Sequence, residues 1–214
     1  MGLERIQQVI ARAALERQLP VIITVGGTNG KGSVVEYLSG SYFAGGYRTG
    51  SYTSPHLHEF NERVRINGVN ASDKLLCDAF AHIEAARANT SLTYFEFTTL
   101  VAMYVFIDQQ IEVAVLEVGL GGRLDAVNAW DTDCAVITSI GIDHEAWLGN
   151  DREAIGFEKA GIARSRRPLV IGEEDCPESL TSHAQAIGAL SYQIGKDFRL
   201  VVEPGDSHLS LIHI

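Results

Sequence analysis

Between Val21 and Leu38 the sequence reads VIITVGGTNGKGSVVEYL, an apolar run that breaks into glycines, a lysine and a serine. Those residue types suit phosphate chemistry: glycines let backbone N–H groups close on an anion, and a lysine brings positive charge to it. The spacing departs from the common G-x-x-x-x-G-K-[ST] loop, because Gly32 stands between Lys31 and Ser33 and the position five before Gly30 is Val25. Gly27, Thr28, Asn29, Gly30, Lys31, Gly32 and Ser33 are the candidate nucleotide-binding residues. Three further polar blocks carry possible partners: TSPHLHEFNERVRING (Thr53–Gly68) with Ser54, LEVGLGGRLDAVN (Leu116–Asn128) with Glu117, and SIGIDHEAWLG (Ser139–Gly149) with His144. A carboxylate beside a triphosphate is repulsive, by about 4 kcal/mol for unit charges ~4 Å apart at an effective dielectric of ~20. Magnesium removes the conflict, since it takes oxygen ligands from one or two protein groups plus phosphates, and Ser54 or Ser33 with Glu117 can supply them. His144 is a less typical ligand for so hard an ion.

The elements that must position these residues follow from periodicity. Leu3, Ile6, Ile10 and Ala13 recur with a helical period, and the continuous run Val21 to Val25 reads as a buried strand. The glycine loop opens a helix that ends near Gly45-Gly46. Strand-like segments at Arg48–Thr53, Ile111–Val118, Cys134–Ile140 and Leu169–Ile171 alternate with helical patterns at Asp73–Ala88, Phe95–Gln109 and Asp151–Arg164. That alternation predicts an α/β fold, a mostly parallel sheet with helices flanking both faces, and the polar blocks then fall at carboxyl strand ends, where such sheets bind ligands.

Composition bounds the rest. The chain has 214 residues, 46% hydrophobic and 21% charged, with a net charge of −10. An acidic balance provides no basic field for a nucleic-acid backbone, so no nucleic-acid partner is expected. Apolar stretches such as VAMYVFI (Val101–Ile107) fall short of the ~18 residues that span a bilayer, and no signal peptide precedes Leu3. A cytoplasmic protein without membrane contact is the expectation. Cys77, Cys134 and Cys176 lack C-x-x-C spacing and read as buried thiols.

Six blocks, GTNGKGS (Gly27–Ser33), TSPHL (Thr53–Leu57), NERVRING (Asn61–Gly68), LEVGLGGRLDAVN, SIGIDH and EKAGI (Glu158–Ile162), resemble in order and spacing the folylpolyglutamate synthase branch of the Mur ligase superfamily. The resemblance implies a variant P-loop ATP-binding domain and ATP-dependent amide formation. In that reaction the γ-phosphate passes to a carboxylate of a folate precursor, and L-glutamate displaces phosphate from the acyl phosphate. It implies ATP and two magnesium ions as cofactors, with residues matching Ser54 and Glu117 at the first ion and His144 at the second. Lys31, His144 and Lys159 are the catalytic candidates. Lys159 taken alone reads as a solvated helix lysine paired with Glu158 or Glu153; the resemblance implies instead that it is carbamylated and helps hold the second magnesium.

SLTYFEFTTL (Ser91–Leu100) reads on its own as a helix start, with Thr93 as N-cap and Glu96 closing a capping box. The block also resembles the segment of bifunctional dihydrofolate/folylpolyglutamate synthases in which the matching Thr and Phe contact a pterin. Thr93 and Phe95 are thus substrate-binding candidates, with Gly141 leaving room beside the ring. The small-molecule partners implied are dihydropteroate or tetrahydrofolate and L-glutamate, and a monomer is expected. A monofunctional folylpolyglutamate synthase and a non-catalytic nucleotide-binding remnant stay open as alternatives.

Members of the family are about twice as long as this chain. Residues 1–208 are expected to correspond to part of the ATP-binding domain, with the glutamate-ligase domain of the family not expected within these 214 residues. LSLIHI (Leu209–Ile214) matches a translated sequencing-adapter end and is set apart from the fold, the other reading being an edge strand. The 214-residue chain alone is expected to bind Mg-ATP weakly and to form no amide.

Overall fold

The structure is a computed structural model and describes residues 2–141, 151–202 and 209–213. Helix α1 (Glu4–Arg12) turns Ile6, Val9 and Ile10 inward at helical spacing. Strand β1 (Val21–Gly26) is buried from Ile22 onward, and α2 (Lys31–Ala44) starts directly after the glycine loop. Then come β2 (Thr49–Tyr52), the short strands β3 (Val64–Ile66) and β4 (Val69–Asn70), α3 (Asp73–Arg87), α4 (Tyr94–Asp108) and β5 (Val113–Glu117). The second half adds β6 (Cys134–Ile137), α5 (Arg152–Ala160), β7 (Pro168–Ile171), α6 (Glu178–Ile187), β8 (Leu190–Gln193), β9 (Phe198–Val202) and β10 (Leu209–His213).

Eight strands form one sheet in the order β4-β3-β2-β5-β1-β6-β7-β8. The six from β2 to β8 are mutually parallel, while β3 and β4 add an antiparallel edge. From β1 the chain runs outward to β2, and from β5 it crosses β1 to reach β6, so the order reverses at the carboxyl ends of β1 and β5. A reversal of this kind opens the crevice in which doubly wound sheets hold their ligands.

The parallel sheet, the glycine-loop helix and the helical segments agree with the sequence reading to within a few residues at most ends. Differences have local causes. The pattern over Asp151–Arg164 is helical only to Ala160, because Gly161 begins a turn in which Ile162 and Ala163 bond back to Lys159 and Ala160. The strand after Cys134 stops at Ile137, since Thr138 and the residues after it turn to bond the glycine loop. The NERVRING block folds as the β3–β4 hairpin, with Asn67 and Gly68 at positive φ in its turn. Residues 209–213 pair antiparallel with β9 as an edge strand. The cysteines are free thiols but not buried ones: Cys77 is exposed, one position round α3 from the inward Leu76, and Cys134 and Cys176 are half-buried. No described helix is long and apolar enough to cross a membrane.

Cover is unequal on the two faces. One face, with Ile22, Ala114, Leu116, Ala135, Ile137, Leu169 and Ile171, belongs to a large core shared with α1, α3, α4, α5 and α6. The opposite face, with Ile23, Val25, Val113 and Val115, packs on α2, through Val35. Burial in β6 and β7 alternates instead of being continuous, leaving Cys134, Val136, Pro168 and Val170 partly exposed on the α2 side. Full cover on both faces was the expectation; the structure gives it only to β2, β5 and β1.

Gly50, in the middle of β2, lies under Phe106 of α4, where an added Cβ would come 2.6 Å from the ring. Gly50→Ala is expected to lower the urea midpoint by an overpacking cost of about 1–3 kcal/mol, whereas Gly40→Ala on the open side of α2 should not.

Candidate active site

The glycine loop is built on β1 and held by β6. Gly27 has φ 140°, and an added Cβ would fall on Thr138 Oγ1. Thr138 Oγ1 donates to Asn29 O at 2.6 Å, and Thr28 N donates to Ser139 O at 2.8 Å. Thr28 Oγ1 accepts from Gly141 N at 3.0 Å and donates to Gly141 O at 3.1 Å. Asn29 N donates to Ser139 Oγ at 3.1 Å. Gly30, at φ 84°, is the N-cap of α2 and offers no side chain to the helix's first N–H groups. Those donors, with the positive end of the helix dipole, therefore face the loop mouth, an arrangement that binds anions. Lys31 Nζ lies over the same loop, donating to Gly27 O at 3.0 Å and Thr28 O at 3.1 Å.

Across the loop stands Glu117, the last residue of β5, with only 6% of its surface exposed. Its Oε2 accepts from Ser54 N at 3.0 Å, and an added Cβ on Gly32 would lie 3.9 Å from either carboxylate oxygen. Burial raises the Glu117 pKa, while the Ser54 N–H and the Lys31 charge pull it back down. A carboxylate held in that state gains from a cation beside it. Ser54 follows β2, so its pairing with Glu117 joins the ends of adjacent strands. Between them lies a cleft of about 240 Å³ bordered by Gly32, Ser54, Leu57, Glu62, Arg65 and Glu117. No group of three or more His, Cys, Asp or Glu side chains placed to hold a metal ion occurs among the described residues. One carboxylate and a serine beside a phosphate loop suit a hard ion that completes its shell with phosphate and water. His144 lies outside the described residues.

Lys159 is 4% exposed, which removes the solvated-lysine reading. Glu158 accepts from Arg123 at 2.7 Å, and Glu153 accepts from Ser179 N and Glu178 N. The loop after β5 presses on the last turn of α5, where an added Cβ on Gly122 would meet Glu158 O at 2.8 Å and Lys159 Cα at 3.1 Å. Lys159 is thus carried against the loop that follows Glu117.

Thr93 caps α4 as the sequence predicts, accepting from Glu96 N at 3.2 Å while Glu96 Oε2 accepts from Thr93 N at 2.6 Å. Thr93 is exposed and Phe95 half-buried, its ring 5.9 Å from that of Tyr52. Among the described residues, the atoms nearest to a Cβ on Gly141 would be those of Thr28, at 3.5 Å or more, an ordinary contact.

Sequence reasoning passed over two acids that shape this edge. Glu62 accepts from the N–H groups of Leu57, His58 and Glu59, which hold its pKa down to about 2. Asp125 is buried, and burial raises its pKa to about 6 against the opposing pull of N–H groups from Leu120, Val127 and Gly119. Its signal was present in LGGRLDAVN, an acid following a glycine turn with no adjacent polar run. Thr138 and Ser139, which fasten the loop, had no signal beyond their place at a strand end.

A parallel sheet whose central strand ends in a glycine loop, with a buried acid on the neighbouring strand, defines an α/β nucleoside-phosphate-binding domain. No family-level sequence model matches the chain. It is 46% identical over 213 residues to the dihydrofolate synthase/folylpolyglutamate synthase of Escherichia coli K12, covering 100% of this chain and 50% of that protein. The Haemophilus influenzae protein of the same name is 48% identical over 187 residues, 87% of this chain and 43% of its own. Among solved structures, E. coli FolC in complex with DHPP and ADP superposes with a TM-score of 0.95 at 46% identity, over 100% of this chain and 51% of that one. The bifunctional Yersinia pestis CO92 enzyme gives 0.93 at 46% identity, over 100% of this chain and 52% of that one. The chain spans about half the length of the curated relatives it matches. It belongs to the dihydrofolate synthase/folylpolyglutamate synthase family and corresponds to the N-terminal half of its members.

Asp125 supplies a pH test. Its folded pKa, about 6, lies above the unfolded value of ~3.9, so its contribution to stability is full below about pH 4 and is lost as the pH rises through 6. Asp125→Ala should therefore cost more near pH 4 than near pH 7, by about 2–3 kcal/mol, in paired urea-unfolding curves.

Proposed function

We propose that this chain is the nucleotide-binding half of an ATP-dependent amide ligase that joins L-glutamate to dihydropteroate, and further glutamate to reduced folates, through an acyl phosphate. The observation that carries the reading is the desolvated Glu117 carboxylate facing a glycine loop and hydrogen-bonded to Ser54 N. Supporting it, solved relatives carry ADP with DHPP, or Mn with AMPPNP and L-glutamate. The higher identities, 46–48%, are to bifunctional relatives, against 32% for an FPGS chain solved with AMPPCP.

The chain's own groups act in sequence. Loop N–H groups and α2 bind the β- and γ-phosphates, and Lys31 leans from its carbonyl partners onto the transferring phosphoryl group. Phe95 and Thr93 hold the flat heterocycle of the acceptor beside Gly141 and keep its carboxylate in line with the γ-phosphorus. The carboxylate oxygen bonds to that phosphorus as ADP leaves; the glutamate amine then bonds to the acyl carbon, and inorganic phosphate leaves. Ser54 and Glu117 would hold the first divalent ion, and His144 with Lys159 the second, and ions held there would offset phosphate charge. Addition of CO₂ to the neutral Lys159 amine, with loss of a proton, converts a group that repels a cation into an anion with two oxygens. The full-length form is a soluble cytoplasmic monomer in this reading.

Titration of the chain with ADP in Mn²⁺ and in EDTA tests the nucleotide site. Glu117→Gln should erase the metal-dependent gain, of about tenfold or more, and leave the EDTA affinity in place; an unchanged gain would remove Glu117 from the metal. In a full-length form, Lys159→Ala should abolish most ligation, with part returning on addition of acetate. Near-normal activity of that variant in bicarbonate-free buffer would remove the carbamate.

A further inference from the structure

Phe95 touches more than a ligand pocket. Its ring packs at 36° on that of Tyr52, two residues before Ser54, with centroids 5.9 Å apart. The tip of the same ring presses on the backbone of Gly119, two residues after Glu117: an added Cβ there would meet Phe95 Cζ at 2.6 Å and both Cε atoms at 2.9 Å. Neither contact can drift freely. Tyr52 is fully buried and its hydroxyl pairs with Thr98 Oγ1 at 2.9 Å, on the same helix as Phe95. The Gly119 side is pinned one residue on, where Leu120 N donates to the buried Asp125 Oδ2 at 2.9 Å. The helix is itself fixed at that end by the Thr93–Glu96 capping box and by Arg5, whose guanidinium meets Glu96 at 3.2 Å.

One ring thus packs against residues of both β2 and the loop after β5, strands that pair directly up to Tyr52 and Leu116 and beyond which Ser54 N and Glu117 Oε2 are joined by a 3.0 Å hydrogen bond. We infer that Phe95 is a positioning residue for the Ser54–Glu117 pair: a wedge against Tyr52 and Gly119 that fixes how the chain leaves β2 and β5 beyond their ladder, and with it the site of the divalent ion. The description of that pair as an ion site rests on the function proposed above; the wedge itself does not. Because the ring is only half-buried, a heterocycle stacked on its open side presses on the same wedge, so acceptor binding and ion placement share one mechanical element.

Residue-resolved amide exchange on the 214-residue chain without ligands tests the wedge. The reporters are the Ser54 and Leu120 amides, with the Gly172 amide, bonded to Ile137 O across the far part of the sheet, as the control. Phe95→Leu and Gly119→Ala should each speed exchange at Ser54 and Leu120 about tenfold relative to Gly172. The double variant Phe95→Leu/Gly119→Ala, in which the smaller side chain makes room for the methyl, should return both towards the wild-type rates. If the three amides accelerate together, or if Ser54 does not respond, Phe95 is ordinary core and the inference is wrong. ADP titrations with and without Mn²⁺ on the same variants separate the two claims. A wild-type chain with no metal-dependent gain counts against the proposed function, while the exchange result still decides the wedge. A metal gain that falls in both single variants and recovers in the double supports the two together.

Discussion

A buried carboxylate at the mouth of a phosphate loop is an electrostatic liability, and the site edge of this molecule is organised around containing it. Glu117 ends a central strand and so cannot swing into water. Burial favours its neutral form, and a Ser54 N–H and the nearby Lys31 only partly offset this. Each neighbouring feature follows from holding that group still. The loop after β2 must bring an N–H to it, the loop after β5 must turn sharply away from it, and α2 must start close enough for its dipole to act on the same charge. These three elements, separated in the chain, converge because β2, β5 and β1 are neighbours in the sheet and its order reverses beside β1.

The loops are held by polar contacts, and the strands by apolar ones. Asp125 gathers backbone N–H groups after β5 just as Glu62 gathers them after β2. The two acids do similar geometric work in opposite dielectric settings. Glu62, in solvent, keeps its charge almost to the limit of acidity, whereas Asp125 gives up part of its acidity to stay inside. Glycine marks the closest approaches: at Gly27 against Thr138, at Gly119 against Phe95, and at Gly122 against α5.

Much of this was legible in the sequence. Residues 21–38 announce their own strand, loop and helix, because a continuous apolar run followed by glycines and a new helical period has few other solutions. Thr93 and Glu96 gave the start of α4 for the same local reason. The site was legible in parts. Loop, serine and carboxylate could be placed at strand ends, but only the folded chain shows that Ser54 and Glu117 are adjacent, because 63 residues separate them and strand order is not written in periodicity. Lys159 was misjudged on its own sequence context, where acidic neighbours suggest a solvated pair; the close packing of the Gly122 loop buries it. The β3–β4 hairpin was hidden because its strands are two and three residues long, too short to display alternation.

The unevenly covered sheet carries a consequence for the molecule in solution. Val136 and Val170 stand side by side in register, with Tyr192 beyond them on β8, 41% exposed. Together with Cys134 and Pro168 they form a strip facing water on the α2 side, where a parallel sheet ordinarily has helices. Such a strip keeps an apolar cost against water that the two-sided cover of β2, β5 and β1 removes. The thiol of Cys134 sits in that strip, where burial raises its pKa and keeps it in the neutral, less reactive form.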